Sequence, residues 1–366
     1  MRALYTGAVD SFMDKTKPDV ARWTSIYSVI SQNSPLVDRC EIIQMPYNYK
    51  LYDVFKMPRD LVGFNKTYED CCMLRAQELI TLSNKLNKKI TVFYSGGIDS
   101  TLIVVSFLKL LTPTEFKSKI DIALTARSIQ ENSNFYYDHI RPMGNIVSSQ
   151  RLQSMFDSST IIVGGEHNDQ LFGSDVVGRV AHGMPDFTEF HKPYSRNHVV
   201  NFFVREGLNQ DDANFWFDLL DNHIKQAPCE VKTNYHFWWW LNFSFKWQNV
   251  FFRILFRAKT ALQSNINQEF VTNYFHHFFS SDYFQKWSML NHDLKIKNDW
   301  KSYKWEAKRI IYEFNKDEFY RDNKLKLGSL IHLFGQRKVE QGLTSNYEFL
   351  ENLDPSEFYI PNNSFG

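Results

Sequence analysis

Residues 95–100 place two glycines, two serines and an aspartate together in the order Ser-Gly-Gly-Ile-Asp-Ser. The glycines lack a Cβ, so the backbone can turn sharply there and approach a ligand closely. The N–H groups of such a turn, and of the first turn of a following helix, have no helical partners, and the helix dipole adds partial positive charge. We therefore predict an anion-binding cradle to which the hydroxyls of Ser95 and Ser100 add donors.

Asp99 is the unusual residue in this cradle, because its carboxylate would repel a bound phosphate unless a cation lay between them. Mg²⁺ bridges carboxylates and substrate phosphates, so we predict that Asp99 is a Mg²⁺ ligand. The loop is not a Walker loop, because no Gly-Lys-Ser/Thr follows it. The alternative, a purely structural turn, has no need of two serines and an aspartate.

A second motif covers residues 164–174, Gly-Gly-Glu-His-Asn-Asp-Gln-Leu-Phe-Gly-Ser. Glu166 and Asp169 lie three residues apart around a predicted turn, a spacing that suits one metal ligand and one residue directed at a substrate. Many loops contain a Glu and an Asp, so this motif alone is only moderately informative.

Both motifs follow predicted strands, which places them in an α/β fold. Strands alternating with helices indicate a parallel sheet covered by helices, and ligands bind such sheets beyond the carboxyl ends of the strands. The first loop lies between a predicted strand at Ile90–Tyr94 and a predicted helix at Ser100–Leu111. The further predictions here are strands at Ile120–Thr125, Asn145–Val147 and Ser159–Val163, and helices from Thr67, at Glu131–Arg141 and at Leu152–Phe156.

The rest of the chain lacks this alternation of predicted strands and helices. Residues 1–65 have no clear period, although Arg39–Met45 has the pattern of a strand, and residues 351–366 resemble an extended arm. We thus predict an α/β core over residues 66–185 and a mostly helical part over residues 186–350. The predicted helices of that part are Val199–Glu206, Asp211–Lys225, His236–Lys259, Gln268–Phe279 and Trp300–Asn315.

Composition narrows the class of protein. The 366 residues are 43% hydrophobic, and 42 basic residues nearly balance 41 acidic ones, so the sequence does not favour a nucleic-acid partner. The most apolar stretch, residues 237–256, contains Lys246 and Arg253, and we expect neither a membrane span nor a membrane partner. The four cysteines form no CxxC pair, and the start lacks a signal-peptide pattern, so we expect reduced thiols and a cytoplasmic location.

The two motifs together resemble the synthetase domain of asparagine synthetases and their relatives, the β-lactam synthetases and lasso-peptide cyclases. That domain carries an SGGxDS pyrophosphate-binding loop, typical of the N-type ATP pyrophosphatases, and later a GEGADELFGG loop. The resemblance covers residues 67–180 well and residues 236–330 weakly. It implies a PP-loop ATPase sheet of the adenine nucleotide alpha hydrolase-like (HUP) type, and a reaction that forms AMP and pyrophosphate.

The resemblance also implies roles for single residues. ATP would contact Ser95, Gly96, Gly97, Asp99, Ser100 and Gly165, with its adenine near Leu124; Asp99 and Asp169 would hold Mg²⁺; Glu166 would lie near the reacting acyl group; and Lys324, or its rival Lys326, would reach the acyl-adenylate. His167 replaces a glycine of the family loop and Gln170 replaces a glutamate. The first change could narrow the pocket, and the second removes a charge.

We therefore expect an amide ligase that acts through an acyl-adenylate. The family's glutaminase domain needs an N-terminal cysteine, whereas the first cysteine here is Cys40. The amine would then be ammonia, the product of a separate glutaminase, or an amino group of the substrate. Two alternatives remain open: a PP-loop enzyme that modifies a nucleobase or tRNA, and a non-catalytic nucleotide-binding subunit.

Other residue groups are given structural interpretations. Lys304, Lys308 and Arg309 are interpreted as a solvated helix face, with one of them a candidate for contacting pyrophosphate. Trp238, Trp239 and Trp240 are interpreted as core, with a minority alternative in which they line the acyl pocket. The scattered histidines lack a zinc-binding pattern.

Overall fold

The computed structural model of the protein describes residues 16–30, 36–44, 55–149, 155–182, 186–248, 250–251 and 268–324. The predicted arm at residues 351–366, Lys326 and most of the predicted helix Leu152–Phe156 lie outside these residues. The chain divides into two compact units that are interleaved in sequence. The helical unit comprises Met1–Phe64, Asp169–Phe256 and Gln285–His292, and the sheet unit comprises Asn65–Asn168, Arg257–Phe284 and Asp293–Gly366.

The sheet unit contains a sheet of five parallel strands. Isoleucine and valine in the central strands are buried on both faces, as a parallel sheet covered by helices requires. The α/β class predicted from the sequence is confirmed. The strands are β1 (Ile90–Phe93), β2 (Ile120–Leu124), β3 (Asn145–Ser148), β4 (Ile161–Gly164) and β5 (Phe275–His277). Their order across the sheet is β3-β2-β1-β4-β5.

The order of the strands creates a switch point between β1 and β4. From β1 the chain proceeds to β2 and β3 on one side, and then returns to place β4 on the other side of β1. Because β1 and β4 are parallel neighbours, the loops that follow them leave the same edge of the sheet. This is the position where open α/β sheets bind ligands.

The helices predicted from Thr67 and at Ser100–Leu111 are present as α3 (Tyr68–Leu86) and α4 (Ile98–Leu110), and a further helix, α5 (Pro113–Lys119), follows them. Thr67 caps α3 through a reciprocal capping box with Asp70, and Thr112 does the same with Glu115 for α5. These helices are α1 (Pro18–Ser25), α2 (Tyr27–Ile30), α3 (Tyr68–Leu86), α4 (Ile98–Leu110), α5 (Pro113–Lys119), α6 (Ala126–Glu131), α7 (Ser133–Phe135), α8 (Asn168–Phe172), α9 (Ser174–His182), α10 (Arg196–Arg205), α11 (Gln210–Ile224) and α12 (Asn234–Phe245).

The remaining helices are α13 (Gln268–Asn273), α14 (Asp282–Leu290), α15 (Trp305–Asn315) and α16 (Glu318–Asn323). Short 3₁₀ segments cover Phe187–His191, Phe278–Ser280, His292–Leu294 and Trp300–Ser302, and a π-helical turn covers Tyr136–Ile140. Among the described residues, no helix is both long and apolar enough to cross a membrane.

Several predicted elements are wrong in extent or type. The helix predicted at Glu131–Arg141 is broken, because the Asn132 side chain caps a new turn by accepting a hydrogen bond from the Phe135 N–H. The helix predicted at His236–Lys259 is interrupted at Lys246; residues 247–248 and 250–251 are helical again, and residues 252–259 lie outside the described part of the chain. The helix predicted at Trp300–Asn315 begins only at Trp305.

The helix predicted at Gln268–Phe279 is correct only as far as Asn273, because Phe275–His277 form the strand β5. Over so few positions, its aromatic residues fit the two-residue period of a strand as well as the 3.6-residue period of a helix. The strand β5 forms because its backbone pairs with the open edge of β4.

The predicted strand at Arg39–Met45 is also absent from residues 39–44. The Asp38 carboxylate accepts hydrogen bonds from the N–H groups of Cys40, Ile42 and Ile43, each at 2.8 Å. Backbone donors that bind one carboxylate are lost to a strand ladder, so the segment turns around Asp38.

Within the helical unit, α12 is buried almost all round, because eleven of its twelve residues are buried and His236 is the exception. A helix that is apolar on every face belongs in a core, so the structural interpretation of Trp238, Trp239 and Trp240 agrees with their complete burial.

Candidate functional site

The first loop folds as a tight turn between β1 and α4. Gly96 has a left-handed backbone with φ of 78°, and a Cβ there would lie 2.3 Å from the Ser128 carbonyl oxygen and 2.6 Å from the Glu131 Cβ. Only glycine fits both the conformation and the space. The Ser95 and Ser100 hydroxyls lie 3.1 Å apart, and the Ser100 hydroxyl also accepts from the Ser95 N–H at 3.1 Å. The serines thus brace the turn itself.

The helix that follows this turn begins without a side-chain cap. Gly97 is the N-cap residue of α4, and no side chain there accepts a hydrogen bond from the first turn. The helix is 13 residues long, so its dipole is fully developed at this end. An uncapped helix N-terminus beside a glycine turn is a suitable site for an anion such as a phosphate group.

The second loop approaches the first through Gly165. A Cβ on Gly165 would lie 3.3 Å from the Asp99 Cβ and 3.5 Å from the Ser100 amide nitrogen, so the absent side chain lets the β4 loop pack on the head of α4. His167 has a left-handed backbone with φ of 72°, at the position where the resembled loop has glycine. Its ring is buried and lies 5.1 Å from the ring of His277.

The two predicted metal ligands fall in different units. Asp99 belongs to the sheet unit and Asp169 to the helical unit, where it is the second residue of α8. Glu166 is half-buried in the turn after β4, and the Leu124 side chain is buried at the end of β2.

In the helical unit, α12 holds the backbone of the second motif. Three side chains at successive turns of α12 donate hydrogen bonds to carbonyl oxygens of α8: Tyr235 to Phe172 at 2.6 Å, Trp239 to Leu171 at 3.0 Å, and Asn242 to Asp169 at 3.4 Å. The aromatic helix is therefore a scaffold for α8 as well as core.

Asp99 forms a buried ion pair that the sequence did not indicate. The Lys304 ammonium donates to both Asp99 oxygens at 2.6 Å, and the Lys304 side chain is 2% exposed whereas that of Asp99 is 23% exposed. Lys304 also has a left-handed backbone with φ of 61° at the start of α15. A strained backbone that delivers a buried charge to a glycine-loop carboxylate is typical of a functional site.

The interpretation of Lys304 and Lys308 as a solvated helix face is wrong, because both are buried, at 2% and 1% exposure. Lys308 donates to the Lys301 carbonyl oxygen, and burial lowers its pKa to about 7, since the charged form loses its hydration. Arg309 is half-buried and pairs with Glu306 and Glu313, which is the outcome expected of a helix surface.

Lys324 is buried too, at 7% exposure, and its ammonium pairs with Glu131. The Nζ atom lies 2.5 Å from a Glu131 carboxylate oxygen and 2.9 Å from the Glu131 carbonyl oxygen. Burial lowers the pKa of Lys324, and Glu131 opposes that effect. Because the Glu131 Cβ also faces Gly96, the pair lies against the first loop.

The residues of the sheet unit that could bind Mg²⁺-ATP fit that group in chemical type. The glycine turn and the uncapped helix suit phosphate oxygens, and the partly exposed carboxylate of Asp99 is an oxygen ligand of the kind that Mg²⁺ prefers. That carboxylate already binds one cation, Lys304, from its buried side.

A second cluster, Asp38, Cys40 and His223, has metal-ligand side chains within 4.8 Å of one another. Trp240 Nε1–H donates to His223 Nδ1 at 2.9 Å, so the ring proton lies on Nε2 and donates to Asp38 at 2.9 Å. With its three backbone donors, Asp38 then uses about four acceptor positions, the capacity of a carboxylate. We assign this cluster a structural role.

Comparisons of the chain with protein-family models, with curated proteins and with solved structures gave no significant match. The resemblance to asparagine synthetases therefore rests on the two sequence motifs. Three elements of the site were missed at the sequence level: Lys304 as the partner of Asp99, Glu131 as the partner of Lys324, and the Asn168 amide. The sequence offered a signal for Asn168, which lies inside the second motif, and for Lys304, which was a candidate for contacting pyrophosphate.

Proposed function

We propose that this protein is an ATP-dependent amide ligase of the PP-loop type, which forms AMP and pyrophosphate through an acyl-adenylate. One observation carries the proposal: the double-glycine turn opens the uncapped helix α4 at the switch point of a parallel sheet, and the second motif leaves the neighbouring strand. Phosphate groups bind at such helix N-termini, and nucleotides bind at such switch points.

In this proposal the β,γ end of ATP binds residues Ser95–Ser100, Gly165 lines the same loop, and the adenine lies near Leu124. The α-phosphorus is then open to a substrate carboxylate, which attacks it and releases pyrophosphate. An amine attacks the carbonyl carbon of the acyl-adenylate, and AMP leaves. Asp99 would hold Mg²⁺, which supplies positive charge that offsets the charge of the departing pyrophosphate.

The protein side chains have separate tasks in the two steps. Glu166, in the second loop, positions or deprotonates the amine. Lys324 stabilises the oxyanion and the leaving phosphate. Lys304 neutralises Asp99: its buried ammonium offsets the negative charge of that carboxylate, which can then lie next to a bound phosphate group.

The substrates are a small carboxylic acid and an amine or ammonia, the latter either free or supplied by a separate glutaminase. A cytoplasmic location is part of the proposal, as ATP and Mg²⁺ are both available there.

The test is the exchange of labelled pyrophosphate into ATP in the presence of a panel of carboxylic acids. Exchange with one acid, and production of AMP when an amine is added, supports the proposal. Production of ADP and phosphate overturns it. Glu166→Gln separates the two steps, because this variant should still exchange pyrophosphate while forming little amide.

A non-catalytic nucleotide-binding subunit is a second candidate, and the Lys304–Asp99 ion pair favours it. An ammonium on both carboxylate oxygens competes with Mg²⁺ for the same atoms. Tight ATP binding with no AMP, for any acid and amine supplied, would select this candidate.

A further inference from the structure

Asn168 is completely buried beside the first loop, and both ends of its amide are hydrogen-bonded. The Nδ2 atom donates to Asp99 Oδ1 at 2.6 Å, and the Oδ1 atom accepts from the Tyr68 hydroxyl. The resembled GEGADELFGG loop has alanine at this position, so the amide is a feature of this chain.

The chemistry of the partners fixes the orientation of this amide. An ionised carboxylate only accepts hydrogen bonds, so the NH₂ end of Asn168 must face Asp99. The carbonyl end then faces Tyr68, whose hydroxyl must donate. Tyr68 is 1% exposed and belongs to α3, so a buried side chain of a neighbouring helix determines which end of Asn168 reaches the carboxylate.

Asn168 distinguishes the two oxygens of Asp99, whereas Lys304 does not. The Lys304 ammonium lies 2.6 Å from both oxygens, while the Asn168 amide contacts Oδ1. A contact that is equal for both oxygens does not by itself fix the rotation of the carboxylate about its Cβ–Cγ bond. A hydrogen bond to one oxygen holds the carboxylate plane in a single orientation.

We propose that Asn168, held by Tyr68, is a positioning residue that orients the Asp99 carboxylate for a divalent cation bound with the nucleotide. This inference rests on the proposed function, because it assumes that Asp99 binds the Mg²⁺ of Mg²⁺-ATP. Hydrogen-bonding partners of a ligating carboxylate typically change metal affinity or activity by about 10- to 100-fold when removed.

The experiment measures metal binding without turnover. Free Mn²⁺ is followed by electron paramagnetic resonance as it is titrated into the full-length protein with α,β-methylene-ATP, which cannot be cleaved between the α and β phosphorus atoms. We expect Asn168→Ala to raise the Kd for Mn²⁺ about 10-fold or more. Tyr68→Phe, which removes one hydroxyl, should produce a smaller increase.

Asn132→Ala is the matched control. Asn132 is also a buried asparagine of the sheet unit, at 4% exposure, and its side-chain amide bonds Thr101 and Phe135 instead of Asp99. Urea unfolding of each variant reports stability separately. The inference predicts that Asn132→Ala loses stability while its Mn²⁺ affinity stays at the wild-type value.

Equal Mn²⁺ affinities for wild type and Asn168→Ala would overturn the inference and leave the proposed function standing. If Asn168→Ala does not fold, Tyr68→Phe decides, and an unchanged affinity in that variant overturns the inference. If the wild-type protein binds no Mn²⁺ with the nucleotide, the proposed function fails and the inference fails with it.

Discussion

The first loop and the two buried lysines of the sheet unit, Lys304 and Lys324, differ in how far along the chain their bonding partners lie. The serine hydroxyls of the loop bond partners at most five residues away. Lys304 and Lys324 instead bond partners 205 and 193 residues away. The loop could be recognised as a motif because its geometry is local. The burial and the partners of the two lysines could not be recognised, because a solvated ammonium and one buried against a distant carboxylate look alike in sequence.

The two regions also differ in what a substitution removes. A change in the loop alters the backbone cradle itself, whereas a change in a lysine leaves a partly exposed carboxylate without its cation. The pairs Lys304–Asp99 and Lys324–Glu131 contribute both to stability and to the proposed chemistry. These two properties therefore have to be measured separately.

The largest effect is expected from Asp99→Asn, which affects both regions. AMP formation should be lost, because a metal ligand contributes several kcal/mol of transition-state stabilisation. The free energy of unfolding should fall by about 3 kcal/mol, since the buried Lys304 ammonium loses its carboxylate. Urea unfolding and an AMP assay measure these quantities.

Two variants serve as controls for Asp99→Asn. The double variant Asp99→Asn, Lys304→Met should recover stability without recovering activity. Asp121→Asn breaks the more exposed pair with Lys89 and should cost less than about 1 kcal/mol. Normal AMP formation by Asp99→Asn would refute the metal assignment.

Lys324→Ala should reduce amide formation by about 100- to 1,000-fold, the usual cost of removing one preorganised donor, while ATP affinity changes little. Glu131→Gln keeps the Lys324 ammonium and removes only the negative charge that pairs with it, so amide formation should fall by a smaller factor. Steady-state rates and ATP binding by calorimetry provide the comparison.

Lys326→Ala tests the register of this assignment. If that variant is inactive and Lys324→Ala is nearly normal, the catalytic lysine lies two residues later. Normal rates in both variants would mean that the resemblance to asparagine synthetases does not extend to Lys324 or Lys326.

Gly96→Ala should destabilise the sheet unit and abolish nucleotide binding, because the added Cβ meets backbone at 2.3 Å and the residue has φ of 78°. Gly63→Ala is the control, since Gly63 has a similar φ of 73° with nothing within 4 Å of its added Cβ. The control should lose about 1 kcal/mol, as expected for a left-handed alanine. If the two variants lose equal stability, the close approach of the Ser128 carbonyl oxygen to Gly96 does not contribute to the cost of the substitution.

Lys308→Met should change how stability depends on pH. Burial holds the pKa of Lys308 at about 7 in the folded protein, below its value of 10.5 in the unfolded chain. The unfolded chain thus binds the extra proton between these values, and stability should rise with pH there by up to about 1.4 kcal/mol per pH unit. The groups that act on Lys308 electrostatically are Asp299, Lys324, Asp322 and Lys304.

In the methionine variant this rise should be smaller, so the variant gains most relative to wild type below pH 7 and nothing above about pH 10.5. Urea unfolding at several pH values measures the difference, and Lys117→Met, at an exposed position, is the control. Parallel curves for Lys308→Met and wild type would show that Lys308 stays charged when folded.

The sequence by itself determined the strands β1, β2, β3 and β4, the parallel α/β class and the two glycine loops. These features depend on local periodicity, on capping residues such as Thr67 and Thr112, and on glycine positions, all of which act over a few residues. The sequence also placed both loops at the carboxyl ends of strands, from which their shared edge followed.

Only the tertiary structure decided β5, the turn around Asp38 and the partners of the buried charges. A strand of three residues forms because β4 offers an unpaired edge, and a carboxylate selects its donors from whatever the fold brings near it. Lys304, Lys324 and Asn168 acquired their surroundings in this way. Their neighbours lie far away along the chain, and the cost of burying a charge or an amide is settled only when those neighbours meet.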